Sequence, residues 1–206
     1  MNTALPAALL DRAVAVVDLE GNGGQPPEIV EIAILPVDGA PPAEDELREW
    51  LVRPRTRING IARRIHGIGN SDVESCPLWR DTAPAVQQLL EGRTMVAHSA
   101  AGDYRVLGEH LPSWRPPMVL DTLRLARHVW PGLPGYGLSD LVAHASLPVG
   151  DTTQQRRPHR AGFDTWCTWL LLLALVEDAG PTWEELVAAA ALPQFAPLVE
   201  PEGGLW

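Results

Sequence analysis

Five residues in this sequence have the types and spacing to do chemistry together: Asp18, Glu20, Asp103, His159 and Asp164. Each sits beside an apolar strand or at the start of a helix, where a carboxylate is unfavourable unless something pairs with it. Converging acids would make a hard, oxygen-rich site of the kind that Mg²⁺ or Mn²⁺ occupies. A histidine beside such a site is suited to take a proton from water.

The elements that must position them can be read from the chain. Residues 13–19 form a compact apolar run that predicts a buried central strand, ending at Asp18-Leu19-Glu20 and followed by a Gly-rich turn. Asp18 and Glu20 are two apart, so both side chains share one face and Leu19 turns to the core. Two carboxylates so placed repel one another unless a cation lies between them. Residues 28–37 and 47–52 predict two more strands in a meander, punctuated by Pro26-Pro27 and Pro41-Pro42. A short strand at 94–97 leads to Ser99, an expected N-cap, and Asp103 falls in the first turn of the next helix. Another short strand is expected at 118–120. Helices are expected at 81–90, 122–129, 137–145, 160–178 and 181–191, the long one stopping at Gly180-Pro181. His159 and Asp164 are five residues apart, about 500° of helical turn, so they cannot share a helix face. His159 is therefore expected just before the helix and Asp164 in its early turns.

Bulk composition narrows the function classes. At 206 residues and 46% apolar content, the chain can bury one full core. The longest apolar stretch, 165–176, is too short to span a membrane, and the first ten residues lack the basic start of a signal peptide. Cys76 and Cys167 are far apart and outside any CxxC, which suits buried packing and a reduced, cytoplasmic setting. The net charge of −10 argues against a protein that coats DNA by its global field. Two divalent cations at the proposed ligands would bring −10 to −6, so contact with phosphate must be local. All 16 basic residues are arginine. Arg53, Arg55, Arg57, Arg63 and Arg64 cluster, and Arg156, Arg157 and Arg160 flank His159. Arginine forks grip phosphate oxygens well.

Asp18-Leu19-Glu20, then His98-Ser99-Ala100-Ala101-Gly102-Asp103, then His159-Arg160-Ala161-Gly162-Phe163-Asp164 resemble, in order and spacing, the three motifs of the DEDDh 3′–5′ exonucleases. That family includes a replicative proofreading subunit, RNase T, oligoribonuclease and exodeoxyribonuclease X. Ile29-Val30-Glu31-Ile32-Ala33, Ile65-His66-Gly67-Ile68 and Asp121 to Arg127 are similar to its connecting segments, over roughly residues 13–178. The resemblance implies two Mg²⁺ (or Mn²⁺) held by Asp18, Glu20, Asp103 and Asp164. Asp18 would bridge both, and His159 would take the proton of the attacking water. It also implies a terminal-nucleotide site near Leu19, Gly21, His66, His98, Ser99 and Arg160. Gly21-Asn22-Gly23 stands where the family has Thr-Thr-Gly, and Ser99 and Gly102 where it has Asn and Phe. Those departures imply a looser terminal-nucleotide site.

These readings combine into an α/β chain of RNase H-like fold, with a central mixed five-stranded sheet flanked by helices. Residues 1–12 are expected as a lead-in, 13–180 as the exonuclease domain, and 181–206 as a C-terminal helix and irregular tail. The expected activity is metal-dependent 3′–5′ cleavage of single-stranded DNA, releasing nucleoside 5′-monophosphates, in a repair or replication setting. An exoribonuclease is the near rival. A weakly active module that docks on a polymerase is the rival of another class, with Phe195, Leu205 and Trp206 as a candidate docking peptide. Trp50, Trp79, Trp114 and Trp130 could stack on bases or pack in the core; Trp166 and Trp169, on one helix face, should be core. No GxxxxGK[ST], HExxH or GxSxG occurs, which leaves P-loop, zinc-protease and serine-hydrolase chemistry unsupported.

Overall fold

The computed structural model describes residues 4–151, 153 and 156–196. Its centre is β1 (Ala13–Gly21), whose residues 14–17 are all apolar and fully buried. β1 pairs antiparallel with β2 (Ile29–Asp38), and β2 antiparallel with β3 (Arg48–Leu51). On its other side β1 pairs parallel with β4 (Thr94–Ala97), and β4 parallel with β5 (Val119–Asp121). The sheet order is β3-β2-β1-β4-β5, the mixed five-stranded sheet expected from the sequence.

Strand alternation sends side chains to two cores. Val14, Val16, Leu35 and Val37 pack against α4 (Thr122–Val129), α5 (Leu138–His144), α6 (Ala161–Ala179) and α7 (Trp183–Ala190). Ala15, Val17, Ile32 and Ile34 pack against α2 (Trp79–Leu90) and α3 (Ala101–His110). A smaller cluster around Val30, Ile58 and Ala62 seats α1 (Gly60–His66), whose N-cap Asn59 accepts from the Ile61 and Ala62 amides. α1 stops at Gly67, which takes the left-handed conformation that favours glycine.

Boundaries moved by at most two residues, as helix and strand ends commonly do. Two differences are of another kind. Ser99 is not the N-cap of α3: that place belongs to Ala100, without a side-chain cap. Ser99 has a left-handed φ of 60°, and its amide donates to Asp121 Oδ1 at 2.9 Å. The same Oδ1 caps α4 through the Leu123 amide at 2.9 Å, so one carboxylate fixes both turns. The second difference is Phe195. It packs partly buried on both cores, its ring centroid 5.5 Å from that of Tyr104 in an edge-to-face pair, so it is not free to lead a docking peptide. Leu205 and Trp206 lie outside the described residues. Leu5 and Leu9 of the lead-in and Leu186 and Val187 of α7 are buried in the main core. Among the described residues no helix is long and apolar enough to cross a membrane.

Candidate active site

The C-terminal end of β1 carries Asp18 and Glu20 out of the core on the face that α6 covers. α6 begins at Ala161, so Asp164 lies in its first turn and His159 precedes it, with an exposed side chain and φ of 63°. That left-handed backbone is held by the His159 amide donating to Asp164 Oδ2 at 2.9 Å. Donor atoms of Glu20, His159 and Asp164 all lie within 4.8 Å of one another. Asp103, in the first turn of α3, approaches Asp18 and Glu20 from the other side, closely enough to act on both carboxyls.

Electrostatics mark the cluster as unbalanced. Burial first, then repulsion from Asp103, Asp164 and Glu20, holds the Asp18 carboxyl well above the usual carboxylate range. Burial, then Asp164 and Glu31, pushes Glu20 up to about 8. Asp103 is pushed up to about 8 by burial and by Glu20. Asp164 rises to about 6 through burial, although the His159 amide opposes it. Asp18 Oδ2 is buried and has no hydrogen-bond partner among the described residues. Buried acceptors without partners are rare in folded chains. A hard divalent cation would satisfy that oxygen and remove the repulsion, so the donor set fits Mg²⁺ or Mn²⁺.

The other residues expected around the terminal nucleotide divide into two groups. Leu19 is partly buried against the α2/α3 core, and Gly21 lines a groove with Glu20, His66 and Ala62. His66 is buried, and its Nδ1 accepts from the Ile68 amide at 3.0 Å, which places any proton on Nε2. Burial keeps its pKa below the ordinary histidine value. Ser99 and Gly102 are both exposed, and nothing lies within 4 Å of where a Cβ on Gly102 would sit. Two residues have partners that redirect the expectation. His98 has Nδ1 at 3.0 Å from Thr122 Oγ1 and Nε2 at 3.0 Å from the Tyr136 carbonyl, so both ring nitrogens are occupied. Arg160 is ion-paired with Glu31. Its Nε lies 3.1 and 3.0 Å from the two Glu31 carboxylate oxygens.

Glu31 is the residue that sequence reasoning passed over. It is 2% exposed, on β2 directly beside Glu20, and its Oε2 also accepts the Ala161 amide at 2.8 Å. It thus caps α6 and anchors the turn that presents His159. The available signal was a lone acid inside Ile29-Val30-Glu31-Ile32, which must be paired to be buried. Arg160→Ala should destabilise the fold by about 3 kcal/mol, because it leaves a buried carboxylate unpaired. Urea denaturation measures this, and the double change Arg160→Met with Glu31→Leu should recover most of the loss. Asn22 was flagged only as a departure. It is 1% exposed, and its Oδ1 accepts the Gly24 and Glu28 amides at 3.0 and 2.9 Å. Its Nδ2 donates to Thr56 Oγ1 at 2.8 Å, so it organises the β1–β2 loop.

Comparison with known proteins gives the family of the chain. Residues 15–171 match the profile of a family described as exonuclease, of the RNase T type. The chain is 30% identical over 172 residues to the 3′-5′ exonuclease DinG of Bacillus subtilis, covering 79% of this chain and 17% of that protein. It is 32% identical over 145 residues to exodeoxyribonuclease 10 of Escherichia coli, covering 70% of this chain and 61% of that one. The chain therefore spans less than two thirds of either relative. The structure of exonuclease X in complex with 5′-overhanging duplex DNA superposes with a TM-score of 0.68 at 30% identity, covering 84% of this chain and 96% of that one.

Proposed function

From the premise that this chain belongs to the DEDDh-type exonuclease family, we propose that it hydrolyses single-stranded DNA from the 3′ end with divalent metal ions. The observation that carries the reading is the buried, partnerless Asp18 Oδ2 among carboxyls that repel one another. Asp18, Glu20, Asp103 and Asp164 would hold two cations, Mg²⁺ or Mn²⁺. Those ions supply charge neutralisation at the scissile phosphate and a more acidic water.

The chain's own residues do the rest. His159 stands exposed beside Glu20 and Asp164, where an imidazole can accept the proton of the attacking water. The water oxygen bonds to phosphorus, the P–O3′ bond breaks, the shortened strand's O3′ takes a proton from solvent, and the last nucleotide leaves as a nucleoside 5′-monophosphate. Leu19 and the Gly21 backbone offer a floor for that nucleotide, and Ser99 one exposed hydroxyl. The open space at Gly102 fits a terminal nucleotide held with fewer contacts than a phenyl ring would give.

The test uses 5′-labelled single-stranded DNA and RNA with Mg²⁺, Mn²⁺ or EDTA. A ladder shortening from the 3′ end on DNA, only with metal, supports the proposal. A ladder confined to RNA moves the substrate to that polymer, and no cleavage of either with any metal overturns the reading. His159→Ala should lower kcat on the order of 10²-fold or more while leaving KM for the oligonucleotide little changed. The residue is exposed, so the melting temperature should stay unchanged.

A further inference from the structure

A groove of about 710 Å³ lies on the α2/α3 side of the β1–β2 loop, outside the carboxylate cluster. Trp79, Arg80, Arg53, Arg55, Glu109 and His110 are among its lining residues. It meets the groove that contains Glu20 at Gly24 and Gln25, which line both. At its other end it continues through Arg53 to Thr56 into a further hollow lined by Arg57 and Asn70. Shared lining residues link the three as a trough, and Glu20 is the carboxylate that lines its near end. His110 is seven residues beyond Asp103 on α3, so the middle of the trough is about 10 Å from the site.

The charges along it are unequal in availability. Arg53, Arg55 and Arg57 have no carboxylate within 4.0 Å among the described residues, and all three are exposed. Glu28 is occupied: it accepts the Arg55 amide at 2.6 Å, the Thr56 amide at 3.0 Å and the Thr56 hydroxyl at 2.5 Å. Glu109 is ion-paired with Arg105 at 3.1 Å. Glu74 lies in the outer hollow, where its carbonyl accepts from Arg53 at 2.8 Å. Trp79 is fixed by its Nε1 donating to the His110 carbonyl at 3.0 Å, with its ring on the trough wall. In a chain of net charge −10, a continuous run of unpaired arginines beside a fixed indole selects a polymeric anion that carries flat rings.

We propose that this trough holds the strand upstream of the nucleotide being removed, with Arg55 and Arg57 on its phosphates and Trp79 against a base. The path runs from the groove of Glu20 past Gly24 and Gln25, which line both hollows. The proposal rests on the exonuclease reading for what happens at the end of the trough, and on the trough's own charge and shape for what fills it.

The test is the full chain carrying Arg55→Gln and Arg57→Gln, side chains that the fold does not use. Anisotropy of a fluorescein-labelled oligodeoxythymidine of about 12 nucleotides is read in EDTA across a salt series, so it does not depend on cleavage. The variant should bind roughly tenfold more weakly at low salt, with a salt slope smaller by about 1.4. With metal, KM for the same oligonucleotide should rise while turnover of the p-nitrophenyl ester of thymidine 5′-monophosphate, which has no upstream strand, stays unchanged. Arg124→Glu, on α4 of the opposite face, should change none of these. An unchanged salt slope and affinity in the double variant overturns the proposal, as does an equal loss on the ester and the oligonucleotide. If the wild type binds the strand but cleaves nothing, the exonuclease reading falls and the trough stands.

Discussion

Asp18→Asn will lower exonuclease activity on the order of 10³-fold or more and will raise the melting temperature of the metal-free protein. The two effects have one cause. Asp18 is raised by burial and is the carboxyl on which Asp103, Asp164 and Glu20 all act. Its charge is useful only when cations share it. Without them that charge opposes folding, since a buried anion with no partner is costly. Asparagine keeps the shape, removes the charge and adds an N–H that neighbouring carboxylates can accept. A gain of one to two kcal/mol would raise the melting temperature of a chain this size by about 3–6 °C. Activity is read on 5′-labelled single-stranded DNA with Mg²⁺, and stability by thermal melting in EDTA. Retained activity with a lowered melting temperature would show that Asp18 is an ordinary structural acid.

Much of the layout of the candidate site was legible because local spacing encodes it. Strand alternation placed Asp18 and Glu20 on one face, and helical arithmetic put His159 before α6 and Asp164 inside it. What escaped was set by contacts between distant segments. Arg160 looks like a free phosphate-binding arginine until Glu31, 129 residues earlier, is seen beneath it. Ser99 has the right type for an N-cap, but Asp121 takes its amide from across the parallel β4–β5 pair and turns it left-handed. His98 sits in the second motif, yet Thr122 and Tyr136 engage both its nitrogens. Asn22 looked like a lost threonine and is instead the buried clasp of the loop that separates the carboxylates from the arginine trough. Residue type and spacing therefore located the acids well. They located the polar side chains poorly wherever a partner from another strand competed for them.

The metal-free protein should lose stability as pH rises, the reverse of the usual carboxylate behaviour, and divalent cations should abolish that loss. Glu20 and Asp103 are pushed up to about 8 and Asp164 to about 6, all mainly by burial, with Asp18 raised as well. Unfolded, these groups ionise near the ordinary value of about 4. Between about pH 4 and about pH 8 the folded state therefore binds more protons than the unfolded one, so its stability falls across that window. Stability from these groups is complete below about pH 4 and lost as pH climbs through about 6 and then about 8. Cations at the cluster replace those protons and favour the ionised form, so the metal-loaded protein should hold its stability at high pH and weaken as protons compete below about pH 6. Melting curves in EDTA and in millimolar Mn²⁺, from about pH 5 to about pH 9, should diverge on the order of 10 °C at the alkaline end. Calorimetry in buffers of different ionisation enthalpy should show protons released on Mn²⁺ binding at neutral pH. The same scan on Asp18→Asn should be flatter in EDTA, because the carboxyl that burial and its three neighbours hold protonated in the fold is gone. Superimposed EDTA and Mn²⁺ curves would mean that the four carboxyls are not a cation site, and the hydrolytic reading would lose its physical basis.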